Sequence, residues 1–393
     1  MNKVYNNLED VVNSFRNFFS NFSSSKTLLN FIPHLFCSII NSESITTSKV
    51  ALDLFNSFND SIRLDSHSKR IFRFFHNPNY NIRNIFNKIV FDVLSRYKLS
   101  HDDNNLHISF DHMFVKNNFT ILMFTLRVGK QGIPIYFEAF NGSNNGYHGD
   151  AFKLVNIKKG ILYCHNLIKN FIPNANIIFL ADRWFGNLFP LMRYIDSLND
   201  TFVFRCKQNL KVFYQKYPEK HKIWIPIIEL PHHIHNSKIY TNLEFTKNRY
   251  VYNLAYCKSQ GHKEAWLLIT NGNPKLAKVH YGYRFGSIEF LFKAQKTNGF
   301  YLEECGIKKL HAFRNLYSLI CIINLYLTCL GSDISKNSKS YKNIGFIITK
   351  NLPNKKYKYR VVSRFRAGLT LFKMAINCHR YFRLPTTFTL YDS

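Results

Sequence analysis

Residues 281–303 carry one acid among several cations at helical spacing. Their sequence is YGYRFGSIEFLFKAQKTNGFYLE. In a helix Glu289, Lys293 and Lys296 share one face, because residues four and seven positions apart lie above one another. Such groups are usually surface ion pairs worth less than about 1 kcal/mol. The alternative is a metal-binding carboxylate beside cations that hold phosphate, and it requires further acids to meet Glu289.

Two upstream acids are placed to meet it. Asp182 directly follows IIFLA, residues 177–181, an apolar run typical of a strand buried on both faces. Asp111 lies within an earlier predicted strand. Open α/β sheets form their sites at the carboxyl ends of strands. Two divalent ions about 3.5–4 Å apart, held by such carboxylates, promote phosphodiester cleavage, and Mg²⁺ leaves positions free for water and phosphate oxygens.

Each acid also has a simpler interpretation. Asp182 fits the N-cap of the next helix, and Asp111 fits an acid at a strand edge. Rival acids lie close in sequence to two of the three: Asp102, Asp103, Glu303 and Glu304. The three acids together, in this order and context, favour the metal site.

Composition predicts a polyanionic partner. The 393 residues include 53 Lys and Arg against 24 Asp and Glu, a formal net charge of +29. Nucleic acid or an anionic membrane surface would match such a charge. An A·T-rich genome would also enrich Lys, Asn and Phe, but the surplus recurs in every segment, which favours nucleic acid.

Cysteine usage and hydropathy predict a cytoplasmic protein with free thiols, and the expected nucleic-acid partner would associate it with the nucleoid. The eight cysteines form no C-x-x-C pair. The N-terminus lacks the apolar segment of a signal peptide. The longest apolar run, residues 316–330, is shorter than a bilayer span and predicts a buried core helix, with no membrane partner.

Periodicity predicts an α/β fold with a ribonuclease-H-like core. The predicted helices span residues 7–19, 48–58, 66–75, 81–97, 150–172, 187–198 and 311–330, and the strands span 107–114, 118–128, 134–140, 177–181, 201–205, 222–228, 238–245, 249–257 and 264–270. The first three strands are expected to form an antiparallel meander.

The same pattern divides the chain into four parts. Residues 1–100 are predicted to be a helical DNA-binding domain. Residues 101–206 and 264–331 are predicted to form the ribonuclease-H-like catalytic core, interrupted by a β-rich insertion at 207–263. Residues 332–393 form a basic helical C-terminal region.

Over residues 66–331 the chain resembles the DDE transposases of bacterial insertion sequences, in the cut-and-paste group with a β-insertion before the final Glu. The matching motifs are FDHMFVK (110–116), FLADRWFG (179–186), FVFRCKQN (202–209), AWLLITN (265–271) and the 281–303 stretch. Two features are specific in combination. One is the Asp-Arg pair at 182–183, and the other is the Tyr-Arg-Glu-Lys signature, matched by Tyr281, Arg284, Glu289 and Lys296.

The resemblance implies roles for individual residues. Asp111, Asp182 and Glu289 would be catalytic and would bind two Mg²⁺ or Mn²⁺ ions. Six further residues are implied or predicted to bind DNA: Arg183, Trp266, Tyr281, Arg284, Lys293 and Lys296. Trp266 matches a tryptophan that family members insert where a base flips out of the DNA; alternatively, it is a core residue. Arg183 would hold phosphate or pair with a nearby acid.

The sequence departs from the family spacing at one point. Four residues separate Arg284 from Glu289, whereas the family has three. On a continuous α-helix the extra residue rotates Arg284 about 100° off the Glu289 face. Gly286 would accommodate the extra residue as a bulge or as a late start of the helix. Tyr283 competes with Tyr281 for the tyrosine position of the family signature.

A histidine group, His232, His233 and His235, invites a zinc interpretation, but a His-rich loop is the simpler one because no cysteine is near.

The expected function is DNA transposition by metal-dependent cleavage and strand transfer. The partner would be double-stranded DNA, namely terminal inverted repeats and target DNA, bound by a homodimer assembled on that DNA. The alternatives are a catalytically inactive, transposase-derived DNA-binding protein and a ribonuclease-H-like nuclease without strand transfer.

Overall fold

The computed structural model describes residues 8–57, 62–97, 105–116, 118–142, 149–214, 223–230, 237–246, 249–258, 264–297, 299–336, 349–351, 358–360, 362–377 and 388. Within these residues the chain is a mixed α/β protein built on a ten-stranded mixed sheet. The strands are β1 Asn105–Val115, β2 Phe119–Val128, β3 Gln131–Asn141, β4 Asn176–Ala181, β5 Thr201–Arg205, β6 Lys211–Tyr214, β7 Ile223–Pro226, β8 Lys238–Phe245, β9 Tyr250–Cys257 and β10 Trp266–Thr270.

The sheet has the order β3-β2-β1-β4-β5-β10-β9-β8-β6-β7. Strands β1, β2 and β3 pair antiparallel, which confirms the predicted meander. Strands β4 and β5 then continue the sheet parallel to β1. From β10 onward the strands pair antiparallel. Strand β4 is buried on both faces, as its IIFLA run predicts.

The β-rich segment after β5 adds its strands to the central sheet. Strand β9 pairs with β10 and with β8, and β8 pairs with β6. Strand β6 was not predicted, because its four residues, KVFY, are too few to show the alternation of apolar and polar residues that indicates a strand. The sheet extends without interruption through this segment.

The α-helices are α1 Leu8–Ser20, α2 Lys26–Leu29, α3 Ile32–Ser42, α4 Thr47–Ser57, α5 Leu64–His76, α6 Ile82–Ser95, α7 Leu154–Phe171, α8 Phe189–Ser197, α9 Ala277–Arg284, α10 Phe290–Lys296, α11 Leu310–Lys336 and α12 Arg364–Asn377. A short hairpin, β11 Thr349–Asn351 and β12 Lys358–Arg360, precedes α12. Four predicted N-terminal helices are confirmed as α1, α4, α5 and α6. Helix α3 was not predicted, since it is buried nearly all round and shows no polar face.

The N-terminal helices share a core with the C-terminal ones. The Phe15 ring lies 4.6 Å from Phe36 and 5.2 Å from Tyr326, which joins α1, α3 and α11. Phe372 of α12 contacts Tyr326 from another side at 6.1 Å. The predicted domain boundary at residue 100 lies outside the described residues, in the gap 98–104.

Helix α11 is the central apolar element. Among the described residues, Leu310–Asp333 is the one stretch long and apolar enough to cross a membrane, and its apolar window is entirely buried inside the protein. That burial is consistent with a core helix of a soluble protein, as predicted from residues 316–330.

Basic residues of the C-terminal region pair with the N-terminal helices. Arg366 and Lys373 of α12 contact the two carboxylate oxygens of Glu43, at 2.8 and 2.7 Å. Arg364 is buried and donates to the carbonyl of Val128. Part of the predicted basic tail, including Lys355 and Lys356, lies outside the described residues.

Candidate active site

Sheet register brings Asp111 and Asp182 side by side. In the parallel β1–β4 pair, Ser109 is opposite Leu180. Continuing that register by two residues places Asp111 opposite Asp182, the first residue after β4. Asp182 Oδ1 accepts a hydrogen bond from the backbone N–H of Trp184 at 2.9 Å, which holds the turn after the strand. The two sequence-distant acids therefore lie next to each other where β4 ends, Asp111 on β1 and Asp182 directly after β4.

Glu289 reaches the same place through a π-helical turn. The right-handed helix that begins with α9 and ends with α10 contains one π turn, Phe285–Glu289. In a π turn, residues five positions apart lie over each other, whereas an α-helix aligns residues four apart. Arg284 Nη1 accordingly contacts Glu289 Oε1 at 2.6 Å. The predicted 100° displacement of Arg284 is therefore wrong, and the predicted bulge near Gly286 is the correct alternative.

Close contact with the β2–β3 hairpin accompanies the π turn. A Cβ on Gly286 would lie 2.6 Å from the Lys130 carbonyl oxygen, and a Cβ on Gly132 would lie 2.9 Å from the Ser287 backbone. The hydroxyls of Ser287 and Thr125 are hydrogen-bonded at 2.9 Å. Glycine at both positions lets the helix and hairpin backbones touch, which fixes the height of Glu289 above the sheet.

Arg284 lies between the acids. Its Nη2 contacts Asp111 Oδ2, while its Nη1 holds Glu289. The Arg284 side chain is only 5% exposed, so this is a buried cation that bridges two carboxylates. A buried charge is tolerated only when it is paired. Arg284 is therefore the internal counter-ion of the acid cluster.

Burial perturbs Asp111 most strongly. Burial, opposed by Arg284 and reinforced by the nearby Asp182 and Glu289 carboxylates, raises the pKa of Asp111 to about 7. The backbone N–H of His112 donates to Asp111 Oδ1 at 2.8 Å. Asp182 and Glu289 thus both act electrostatically on Asp111, as expected if the three acids gather at one site.

The donor set suits a hard divalent cation. Three carboxylates from separate elements offer the oxygen ligands that Mg²⁺ and Mn²⁺ prefer, and a bound cation would offset the burial and the carboxylate repulsion that raise the Asp111 pKa. Across the part of the chain that the structure describes, however, His, Cys, Asp and Glu side chains form no ready group of three or more for a metal ion. Arg284 takes the intervening position, so occupancy by metal requires the guanidinium to move.

The neighbouring rival acids lie elsewhere. Glu303 pairs with Lys296 at 2.8 Å, and Glu304 pairs with Lys49 at 3.4 Å. Lys296 consequently contacts Glu303, and not Glu289. The remaining rivals and the histidine group lie outside the described residues: Asp102, Asp103, His232, His233 and His235.

The two candidate tyrosines face different environments. Tyr281 is 2% exposed, and burial raises its pKa to about 12, with Arg284 opposing and Asp182 and Glu289 adding to the shift. Tyr283 lies under Arg127, whose guanidinium is 3.3 Å from the ring centroid. Tyr281 is thus the tyrosine on which Asp182 and Glu289 act electrostatically, and its ring packs against Trp266 and Phe285.

The remaining predicted DNA-binding residues lie on elements that adjoin the acids. Trp266 at the start of β10 is half-buried, stacks on Phe285 at 5.3 Å and meets the edge of Tyr281 at 5.2 Å. Lys293 is exposed on α10. Arg183 contacts Glu264, which agrees with the predicted alternative of a nearby acid.

Sequence analysis missed Arg205 and Glu264. Arg205 ends β5 and contacts Glu264 at 2.9 Å. One signal was present, since Arg205 follows an apolar FVF run in the same way that Asp182 follows IIFLA. Both strands end at the same edge, so their next polar residues become neighbours.

Comparison of this chain with protein-family models and with curated proteins found no match.

Proposed function

We propose that this chain is a DNA transposase that cleaves phosphodiester bonds and transfers DNA strands. The observation that carries the proposal is the convergence of Asp111, Asp182 and Glu289 from two strands and a helix, with Arg284 between them. The formal charge of +29 supports a nucleic-acid partner. The resemblance to DDE transposases names the same three acids.

Strand order supports a ribonuclease-H-like core for this enzyme. An antiparallel β3-β2-β1 meander continued by parallel β4 and β5 places Asp111 and Asp182 on neighbouring strands. Helix α10 and its π turn then bring in Glu289 from above. This arrangement favours an enzyme in which separate elements each contribute one acid.

Asp111, Asp182 and Glu289 would hold two divalent ions, which supply Lewis acidity for attack on a phosphodiester. Arg284 pairs with both Asp111 and Glu289 in the ion-free protein and compensates part of their charge. Attack by water at phosphorus breaks the bond to the 3′-oxygen and leaves a 3′-hydroxyl. That hydroxyl attacks a phosphodiester of target DNA, forms a new bond to phosphorus and releases the target's own 3′-hydroxyl.

The decisive experiment incubates the protein with Mg²⁺ and a labelled DNA fragment that carries the sequences flanking its reading frame. We expect cleavage by the unmodified protein and loss of at least a hundredfold in the Asp182→Asn variant. Asp65→Asn, at an exposed position of α5, is the matched control and should cleave normally. Equal cleavage by Asp182→Asn and the unmodified protein would refute the proposal.

The same assay separates the two alternatives. A transposase-derived DNA-binding protein would bind the fragment without Mg²⁺-dependent nicking. A displaced Arg284 would favour that alternative, but the π turn brings this arginine into contact with Glu289. A nuclease without strand transfer would nick the fragment but would fail to join a pre-cut end to a plasmid.

A further inference from the structure

Two arginines next to the acid cluster converge on a single carboxylate oxygen. Arg183 Nη2 and Arg205 Nη2 both donate to Oε2 of Glu264, the latter at 2.9 Å. Two positive charges against one negative charge leave the group with a net charge of +1. The three side chains are 39%, 21% and 53% exposed, so the group is open to solvent.

The backbone holds both arginines in fixed positions. Arg183 directly follows Asp182, and Arg205 is the last residue of β5, opposite Leu268 of β10. The turn after Asp182 packs on the Arg205 backbone so closely that a Cβ on Gly186 would lie 1.9 Å from the Arg205 carbonyl oxygen. The distance between the two arginines is therefore set by the sheet edge and its adjoining turn.

The arginine pair lies beside the acids. In the parallel β4–β5 pair Ala181 is opposite Phe204, so Asp182 comes opposite Arg205, and Arg183 is the next residue after Asp182. A DNA strand whose scissile phosphate reached the acids would therefore pass close to Arg183 and Arg205. Arginine forks match the oxygens of phosphate as well as those of carboxylate.

We propose that Arg183 and Arg205 form a clamp for one backbone phosphate of DNA, and that Glu264 occupies this clamp until the phosphate displaces it. The inference rests on the proposed function and adds to it a phosphate site with an internal competitor. An exposed ion pair contributes little to stability, so Glu264 is displaceable. A DNA strand brings a row of phosphates and gains from counter-ion release, which favours the exchange.

The test measures binding of the full-length protein to a random-sequence duplex of about 30 base pairs without divalent ions, so that no cleavage occurs. Glu264→Gln should bind roughly two- to fivefold more tightly because both arginines become available. The slope of log affinity against log salt should steepen by up to about one. Glu304→Gln is the matched control, because Glu304 is also exposed and paired, but with Lys49.

Removal of an arginine should abolish the gain. Arg205→Gln is expected to weaken binding roughly two- to fivefold, and Glu264→Gln in that background should improve affinity no more than Glu304→Gln does. Arg183→Gln, at the more exposed position, repeats the measurement if Arg205→Gln fails to fold. Equal effects of Glu264→Gln and Glu304→Gln would overturn the clamp, since they would reflect net charge alone.

Binding and cleavage separate the two claims. A protein that cleaves DNA but shows no special effect of Glu264→Gln retains the proposed function and loses the clamp. Tighter binding by Glu264→Gln without any cleavage by the unmodified protein retains the clamp and removes the transposase. Absence of DNA binding overturns both.

Discussion

Arg284 and Glu289 are five residues apart and form an ion pair at 2.6 Å, because a single π turn lies between them. An insertion of one residue in a helix normally rotates everything after it by about 100°. The π turn accommodates the extra residue within a single turn. Arg284 and Glu289 therefore lie on the same face of the helix. Such turns are frequent at functional sites.

Gly286→Ala should destabilise the protein by about 1–3 kcal/mol, since the new methyl group meets the Lys130 carbonyl oxygen. Urea unfolding monitored by circular dichroism measures the change. Gly282→Ala is the control in the same helix, because a Cβ there meets nothing within 4 Å. Gly282→Ala should raise the free energy of unfolding by about 0.5–1 kcal/mol. Similar behaviour of both variants would contradict a tightly packed π turn.

Arg284→Gln should lower the free energy of unfolding at pH 8 by about 3 kcal/mol, since it leaves Asp111 and Glu289 without their shared cation. The loss should shrink at pH 5, where Asp111 is protonated and needs no counter-ion. Arg96→Gln, which removes an exposed pair with Asp92, should cost less than about 1 kcal/mol at both pH values. An equal loss for Arg284→Gln at pH 5 and pH 8 would be inconsistent with this role.

The raised pKa of Asp111 has a defined effect on pH dependence. Because the folded pKa of about 7 lies above the ordinary value of 3.8, the folded state holds this proton more tightly than the unfolded state. This contribution to stability is present below about pH 4 and is lost as the pH rises through about 7. Asp111→Asn should remove that part of the dependence in urea unfolding of the ion-free protein.

Binding of a divalent ion should show the converse dependence. Since Mn²⁺ competes with the Asp111 proton, its affinity should rise with pH up to about 7 and then level off. Calorimetry in buffers of different ionisation enthalpy would detect the released proton at pH 6. Glu304→Gln should leave this profile unchanged, and a profile that is flat from pH 5 to 8 would exclude Asp111 as a ligand.

Trp266 should distinguish DNA with an unpaired base from fully paired DNA. Base–aromatic stacking is worth about 1–3 kcal/mol, so Trp266→Ala should weaken binding to a duplex with one unpaired base about tenfold or more. Trp266→Phe retains a ring and should lose less. If Trp266 only packs against Phe285, the alanine variant will lower the melting temperature without changing the ratio of the two affinities.

Salt should weaken DNA binding steeply. The formal charge of +29 predicts several phosphate contacts, and six or more would reduce affinity at least about a thousandfold between 50 and 200 mM salt. Fluorescence anisotropy with a labelled duplex measures the slope. A flat response would argue against a phosphate-dominated interface.

The sequence by itself determined most of the elements and the candidate acids. An apolar run followed by Asp182 marks a buried strand and its end, and period-two segments mark the meander that carries Asp111. These features are local, so hydrophobic period and residue type suffice to find them. Helix α3 and strand β6 were missed, because one lacks a polar face and the other is too short.

Tertiary structure decided which charges meet. Sequence spacing predicted that Lys296 shares a helix face with Glu289 and that Arg284 does not. In the structure Lys296 pairs with Glu303, and Arg284 bridges Asp111 and Glu289. Sequence spacing predicts which side chains share a helix face only if every turn is an α turn. Here one turn is a π turn, and the β2–β3 hairpin packs closely against it at Gly286. The convergence of Arg183 and Arg205 on Glu264 likewise depends on adjacent strand ends, which no local pattern encodes.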